Sequence, residues 1–396
     1  MLSEIRKNNL EKNIWKFYLY RVFSCLSFIT PIYFLFLLDN GLNLTQVMIL
    51  QSIYTAVIML SAVPSGIVAD QLGRKKILII NAVLFTLAWM IFAVSHNFLG
   101  FLIGEITAAL SAGMWLASGT AFFYDNLKEL KRESDFKKLF GNVVGINYVM
   151  WGLSSLVGGY IAVHSLRFPF WITSVTAFIA LIITFTFTET KIYGHRDKHY
   201  LKHLKNSLIF IKNHQKVRLL IIYSGIFVAV SFIGYILYQP YLESINIPLA
   251  YFGLVYLIIF LLAAVGSKTA HLLETYIGEK KILIILLIIP ILSFFGMTKG
   301  LIVVGVIFPI LLSFGSGVFE PVVTDYINKH TKSHHRATVM SLSTLVNEFL
   351  STIIAPFFGW VVDFWSLSTA FLLAMILLVI NLIILIITFE LINRKS

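Results

Sequence analysis

The sequence predicts an all-α polytopic membrane protein in which twelve transmembrane helices form two pseudo-symmetric halves of six. Its 396 residues are 58% hydrophobic and 13% charged, and a soluble protein of that composition would lack the polar surface to cover itself. Apolar runs of about 20 residues, long enough to cross a bilayer core, recur along the whole chain. The alternating pattern typical of a membrane β-barrel is absent from the sequence.

The apolar runs place the spans in order along the chain. They are expected near 14–38, 45–69, 75–96, 98–122, 138–162, 169–189, 217–241, 249–273, 281–298, 301–325, 337–361 and 367–391. Of the 31 lysines and arginines, all but Arg21, Arg167 and Lys299 lie at the termini or in alternate loops. The positive-inside rule therefore predicts a multi-pass protein of the cell (inner) membrane with both termini cytoplasmic. A miscounted span would have scrambled this asymmetry.

One long polar segment divides the chain. We expect an N-terminal six-helix half at 1–189, a cytoplasmic linker at 190–216 and a C-terminal six-helix half at 217–396. Within the linker, LKHLKNSLIFIK has helical apolar spacing with basic residues between, which predicts an amphipathic helix on the anionic inner leaflet. The other loops are too short to hold a soluble domain, so an attached enzyme is excluded.

Cofactor and metal sites are not expected. Cys25 is the single cysteine, so neither an internal disulfide nor a cysteine metal cluster can form. The linker histidines have no carboxylate or cysteine support, and solvated loop histidines are favoured over a metal site; they are His195, His199, His203 and His214. Nothing matches the phosphate-binding pattern G-x-x-x-x-G-K-[ST], so the energy would come from an ion gradient or the substrate's own. The net charge of +12 reflects topology, and nucleic acid is not an expected partner.

A short segment occurs twice. GRKKILII at 73–80 and GEKKILII at 278–285 share KKILII, and each lies between the second and third span of its half. Asp125 and Asp325 end the fourth and tenth spans in a looser correspondence. Parallel internal repeats are typical of secondary transporters. The repeat therefore predicts two halves that rock about a midplane site.

The stretch SGIVADQLGRKK resembles the signature of the major facilitator superfamily, G-x-x-x-D-x-x-G-R-[RK], which lies between spans two and three. The matching residues are Gly66, Asp70, Gly73, Arg74 and Lys75. The resemblance extends over the whole chain through its twelve spans and linker, and it implies the fold of that superfamily. The second copy has Thr275 and Glu279 at the positions of Asp70 and Arg74, so a gating role is expected mainly of the first copy.

The signature residues and Asp125 are expected to form a cytoplasmic latch. Gly66 and Gly73 permit close helix approach and a tight turn, and Asp70 can lie against the positive N-terminus of a neighbouring helix. The resemblance implies that this helix is span eleven and that Arg74 pairs with Asp125. The alternative is that these charges only anchor the topology.

Four ionisable side chains lie within the spans, where such groups are costly and mark function by default. Glu348 is near the centre of span eleven, where a lone carboxylate is expected to be protonated or paired, as proton coupling requires. Glu105 in span four and Glu320 in span ten are further proton-coupling candidates, although Glu320 could equally face the inner vestibule. For Glu348 and Glu105 the alternative is a structural hydrogen bond. Arg21 either snorkels to the cytoplasmic interface or is a cavity cation that binds an anionic substrate group or an intramembrane acid.

Polar and aromatic side chains within the spans are candidates to line the substrate cavity, with packing or interface roles as the alternative. They are Arg21, Tyr33, Asn147, Trp151, Tyr235, Gln239 and Asn347. Spans 1, 4, 7 and 10 line the cavity in the superfamily, which favours Tyr33, Tyr235 and Gln239. In span five, Gly158–Gly159 resembles the end of the superfamily's antiporter motif, but Ser154–Ser155 replaces its Gly–Pro.

The sequence thus predicts a non-enzymatic secondary transporter. We expect proton-coupled export of amphipathic, drug-like small molecules, because the predicted cavity is aromatic with few fixed charges. A uniporter or symporter of a polar or anionic metabolite, with Arg21 as a carboxylate clamp, is the first alternative. A non-transporting membrane sensor on a transporter scaffold is the second. The expected partners are a small-molecule substrate, protons and the lipid bilayer, and we expect a monomer.

Overall fold

The computed structural model describes residues 3–191, 211–212, 214–331 and 335–393. Its helices are α1 (Glu4–Cys25), α2 (Tyr33–Asp39), α3 (Leu44–Leu72), α4 (Arg74–Val94), α5 (Phe98–Glu129), α6 (Phe136–Ala162), α7 (Phe168–Phe185), α8 (Gln215–Ser244), α9 (Phe252–Ile277), α10 (Glu279–Met297), α11 (Ile307–Lys329), α12 (Arg336–Phe364) and α13 (Leu367–Asn393). Within these ranges there is no strand, and eleven helices, α3 to α13, are long and apolar enough to cross a membrane. The predicted all-helical membrane fold is confirmed.

The predicted first span, 14–38, differs from the prediction because it is interrupted. α1 ends at Cys25 and α2 begins at Tyr33, with a non-helical segment at 26–32 that contains Pro31. Proline has no N–H and disfavours helical geometry at the residue before it. α1 also begins ten residues earlier than predicted, where Ser3 Oγ accepts a hydrogen bond from Arg6 N.

Side chains of two later helices satisfy the backbone of this interruption. Ser154 Oγ on α6 accepts from Ser27 N at 3.1 Å. Thr173 Oγ1 on α7 accepts from Phe28 N at 3.2 Å. Irregular backbone at membrane depth is tolerated where protein groups replace the lost helical hydrogen bonds. α6 and α7 therefore stabilise the interrupted span.

The described residues fall into two compact units. Unit 1 takes Met1–Leu42, Ile53–Arg196 and Leu249–Leu257; unit 2 takes Asn43–Ser52, Asp197–Pro248 and Ile258–Ser396. The units differ from the predicted halves in two short segments, 43–52 at the start of α3 and 249–257 at the start of α9. The amphipathic helix predicted for LKHLKNSLIFIK lies outside the described residues apart from 211–212, as do His195, His199 and His203.

The core of unit 1 combines aromatic packing with buried polar contacts. Phe17 of α1 packs against Phe123 of α5 with ring centroids 4.8 Å apart. One turn further along α1, the Tyr20 hydroxyl donates to Asn81 Oδ1 at 3.0 Å. Asn81 Nδ2 in turn donates to Ser111 O at 2.6 Å. These contacts fix α1, α4 and α5 at one register.

In unit 2, α8 is bonded to three neighbouring helices. The Tyr223 hydroxyl donates to Leu283 O of α10 at 2.8 Å, and Asn381 Nδ2 of α13 donates to Tyr223 O at 3.1 Å. Phe227 stacks on Phe319 of α11 with ring centroids 3.6 Å apart. Side-chain hydrogen bonds of this kind hold helices together where lipid removes the hydrophobic driving force.

Candidate functional site

The turn of the signature loop is set by Gly73. Its φ is +101°, a backbone conformation that favours glycine, and it immediately precedes α4. A Cβ at Gly73 would lie 2.5 Å from Glu189 Oε2. At Gly66 an added Cβ would meet nothing within 4 Å. The described contacts therefore explain the glycine at 73, and they do not show the close helix approach predicted at Gly66.

Arg74 lies between the two carboxylates expected to accompany it. Arg74 Nη2 is 2.8 Å from Asp70 Oδ1, and Arg74 Nε is 3.6 Å from Asp125 Oδ2. Nη1 also donates to Ala117 O at 3.2 Å. Arg74 is buried although it begins a helix next to a loop. The structure thus brings Asp70, Arg74 and Asp125 together, while the contact of Asp70 with span eleven stays a prediction.

Sequence reasoning missed Glu189, which caps α4 from the end of span six. Glu189 Oε1 accepts from Lys75 N at 3.0 Å. Arg6 Nη2 donates to Glu189 O at 3.1 Å, and Arg6 Nε pairs with Glu129 Oε1 at 2.7 Å. The available signal was an acid among the basic residues that follow span six. These contacts fix the first turns of α1 and the end of span six to the signature loop.

The second repeat keeps a charged cluster in altered form, which was also missed. Lys329 Nζ at the end of α11 is 3.1 Å from Glu274 Oε1 and 2.5 Å from Asp325 Oδ2. Glu274 is the neighbour of Thr275, the residue that stands at the position of Asp70. A base between two acids therefore joins α9 to α11. Comparing the two repeats in the sequence does not reveal this cluster, because Lys329 lies at the end of span ten, whereas Arg74 lies in the loop between spans two and three.

Arg21 is buried within unit 1. Its Nε donates to Asn147 Oδ1 at 3.0 Å, and its Nη2 donates to Cys25 Sγ at 3.0 Å. The guanidinium carbon lies 4.1 Å from the centroid of the Trp115 ring, which is a cation–π contact. An amide, a thiol and an indole thus hold this cation.

Glu105 is buried on α5 and is paired with Tyr33. The Tyr33 hydroxyl, at the first residue of α2, donates to Glu105 Oε1. The Tyr33 ring packs edge-on against Phe92 of α4 with centroids 5.5 Å apart. Glu105, a predicted proton-coupling residue, and Tyr33, a predicted cavity residue, are therefore in direct contact just after the interruption of span one.

In unit 2 a cavity of about 570 Å³ gathers several of the predicted residues. Its walls come from α8, α9, α11 and α12. Glu348, Asn347, Glu320 and Tyr235 line it, together with Tyr238, Ser224, Ser231, Ser313, Ser316, Thr324, Ser343 and Thr344 and an apolar set that includes Phe227, Phe232, Phe260 and Phe319. Among the described residues of this lining, none is Lys, Arg or His.

Hydrogen bonds orient the polar wall of this cavity. Asn347 Oδ1 accepts from Ser224 Oγ at 3.1 Å, which ties α12 to α8. The Tyr238 hydroxyl lies 3.5 Å from Ser313 Oγ of α11. Glu348 is half-buried and Glu320 is exposed. Glu320 therefore lines the cavity from an exposed position, and its role in proton coupling or in an inner vestibule stays a prediction.

The predicted cavity residues divide between the two units. Gln239 is fully buried on α8 and is not among the residues that line this cavity. Tyr33, Asn147 and Trp151 lie in unit 1. Trp151 O accepts from the hydroxyl of Ser154, the residue that caps the interruption of span one.

Comparison with known families decides the class. The model of the Major Facilitator Superfamily matches residues 18–298 and 219–395, which together span nearly the whole chain. The chain belongs to the Major Facilitator Superfamily. Members of this superfamily are multi-pass membrane proteins that carry small molecules, and the resemblance seen at residues 66–75 is thereby confirmed.

Two curated relatives differ in how much of the chain they cover. The quinolone resistance protein NorA of Staphylococcus aureus (strain N315) is 27% identical over 177 residues, 44% of this chain and 45% of NorA. The match therefore spans less than half of NorA. The uncharacterized MFS-type transporter YxaM of Bacillus subtilis (strain 168) is 26% identical over 374 residues, 89% of this chain and 90% of YxaM.

Solved structures share the fold. The nucleoside transporter NupG aligns with a TM-score of 0.82 at 14% identity, over 95% of this chain and 99% of NupG. A D-xylose-proton symporter aligns with a TM-score of 0.69 at 14% identity, over 97% of both chains. At these identities the likeness shows the major facilitator fold alone.

Proposed function

We propose that this major facilitator protein exports amphipathic, drug-like small molecules in exchange for protons, by alternating access, in the cell (inner) membrane with both termini cytoplasmic. The observation that carries the proposal is the cavity of unit 2, which is lined by two carboxylates together with aromatic rings and hydroxyl groups. Aromatic and aliphatic surface binds the apolar part of a ligand, and a small number of polar groups orients it.

The charge of the cavity favours organic cations over anions. Glu348 and Glu320 are the ionisable acids of the lining, and the described lining has no basic side chain to neutralise them. A carboxylate in a partly desolvated cavity can take a proton or a substrate cation in turn, which is the exchange that antiport needs. The relative NorA is a quinolone resistance protein, which is consistent with drug efflux.

The anionic-metabolite alternative depends on Arg21. That guanidinium already has Asn147, Cys25 and Trp115 as partners. An anionic substrate would have to replace the Asn147 or Cys25 hydrogen bond, whereas a cation entering the cavity of unit 2 meets Glu348 without such competition from a basic lining residue. The geometry therefore supports cation export better.

The experiment is a comparison of two glutamate variants in proteoliposomes. With Glu348→Gln, we expect accumulation of an organic cation driven by a pH gradient to fall at least about tenfold, because the proton-exchanging group is lost, while gradient-free exchange of the same cation persists. The matched control is Glu390→Gln, an exposed acid near the end of α13, which should behave as wild type. Full gradient-driven accumulation by Glu348→Gln would contradict the assignment.

A further inference from the structure

The first turn of α3 has an unusual set of hydrogen-bond partners. An α-helix leaves its first four backbone N–H groups without a partner inside the helix. Here Asn43 Oδ1 accepts from Gln46 N at 2.9 Å, and Gln46 Oε1 accepts from Asn43 N at 3.1 Å. This is a reciprocal capping box. It satisfies two of the four donors and leaves those of Leu44 and Thr45.

Asp363, near the end of α12, takes both remaining donors. Asp363 Oδ1 accepts from Leu44 N at 3.0 Å, and Oδ2 accepts from Thr45 N at 2.8 Å and from the Thr45 hydroxyl at 2.5 Å. The carboxylate thus lies on the positive end of the helix dipole, where a negative charge is stabilised. All four donors of the first turn of α3 are satisfied, two of them by a residue more than 300 positions away.

A glycine one turn earlier on α12 lets α3 come this close. A Cβ at Gly359 would lie 2.7 Å from both Leu44 O and Thr45 Cα, which are backbone atoms that cannot move aside alone. Residues four apart share a helix face, so Gly359 and Asp363 form one contact surface. Eight residues after Leu44 on α3, Ser52 Oγ donates to Thr352 O of α12 at 2.7 Å. Residues 44–52 therefore run along α12 and belong to unit 2, while the rest of α3 belongs to unit 1.

We propose that Asp363, Gly359 and the first turn of α3 form an outer latch that holds the external side of the transporter shut. The proposal rests on the alternating access of the proposed function, in which the two six-span halves rock apart. α3 is in the first half by sequence and α12 is in the second. In this proposal α3 moves with the first half, in spite of Pro64 within it, and its contact with Asp363 breaks when the external side opens.

The outer latch is the counterpart of the signature at the other end of the same two helices. By charge asymmetry, Asp70 is at the cytoplasmic end of α3, and the superfamily resemblance implies that it caps the start of span eleven, α12. Asp363 is at the opposite end of α12 and caps the start of α3. One physical device, a carboxylate on the N-terminus of the antiparallel partner, would then close each side of the membrane in turn.

The test measures access to the cavity from outside, independently of transport. In a Cys25→Ser background, Ser231→Cys places a single thiol in the cavity of unit 2, and a membrane-impermeant maleimide is added to intact cells. Adding Asp363→Ala should raise the labelling rate about fivefold, the equivalent of the ~1 kcal/mol that an N-cap side chain contributes. Asp363→Asn should fall between, since an amide oxygen accepts a hydrogen bond but carries no charge. Gly359→Ala should also raise labelling, because its methyl group would push the α3 backbone away.

The control is Glu243→Ala, which removes another exposed acid at the end of α8, on the side of the membrane where α3 begins. Its labelling rate should equal that of the parent. Each variant is checked for folding by its thermal unfolding in detergent, and Asp363→Asn serves if Asp363→Ala does not fold. Labelling at the parental rate in folded Asp363 and Gly359 variants overturns the outer latch. If the parent transports no organic cation but the labelling rates still differ as expected, the proposed export is contradicted and the outer latch is not.

Discussion

At the scale of single residues, the two signature glycines are distinguished by their surroundings. Gly73 has a φ of +101° and touches the Glu189 carboxylate, whereas Gly66 is helical with open space at its Cβ position. A side chain at 73 would be strained by the backbone and would displace the cap of α4. A side chain at 66 meets neither obstacle.

We therefore predict opposite effects of alanine at these positions. Gly73→Ala should lower the free energy of unfolding by about 1–3 kcal/mol, the range for a residue held in a disfavoured conformation. Gly66→Ala should leave it unchanged or raise it by up to ~1 kcal/mol, because alanine favours helix over glycine. Thermal unfolding in detergent measures both, and equal destabilisation by the two variants would contradict the structure.

Residue identity in the signature was predictable, but the residues that support it were not. Asp70, Arg74 and Asp125 follow a pattern that a single sequence can show. Glu189 and Glu274 were missed because each acts through space on an element that sequence spacing does not connect to it. Asp363 belongs to the same class, since nothing near it in the sequence indicates that its partner is the first turn of α3.

At the scale of elements, the interruption of span one is the main difference between expectation and structure. Residues 26–32 are mostly apolar, so hydropathy continues across them without a change. The partners that stabilise the interruption, Ser154 and Thr173, come from spans five and six. Hydropathy can place a span, but it cannot show which later helix will satisfy an open stretch of backbone.

Removing one of these caps should destabilise the interruption. Ser154→Ala removes one of the two acceptors of the Ser27 N–H, which also donates to Cys25 O at 2.9 Å, and we expect a loss of about 0.5–1.5 kcal/mol. The matched control is Thr107→Val on α5, where an exposed hydroxyl bonds its own helix, with an expected change within about 0.5 kcal/mol. Thermal unfolding compares the two, and hydrogen exchange at 26–28 should quicken in Ser154→Ala alone. An equal response of both variants would refute the cap.

At the scale of the whole molecule, the predictable features were those repeated many times. Each apolar run added to the evidence for a helical membrane protein, so the interruption of the first span changed little. The exchange of 43–52 and 249–257 between the units could not be predicted. It depends on which helix faces pack together, and apolar sequence alone does not specify that.

The acidic side chains of the cavity support the proposed export of cations. The lining joins Glu348 and Glu320 to aromatic rings with no basic residue among its described members, and the superfamily supplies a scaffold for alternating access. Proton exchange at these acids would couple cation export to the gradient.

The central claim is tested most directly by flux through the purified wild-type protein in proteoliposomes. The probe is ethidium, a permanent organic cation with aromatic rings, compared with an aromatic carboxylate of similar size. With the interior more acidic than the bath, we predict that ethidium accumulates inside and that the accumulation collapses when a protonophore abolishes the gradient. Transport of ethidium that is indifferent to the gradient, or a preference for the carboxylate, would contradict proton-coupled cation export.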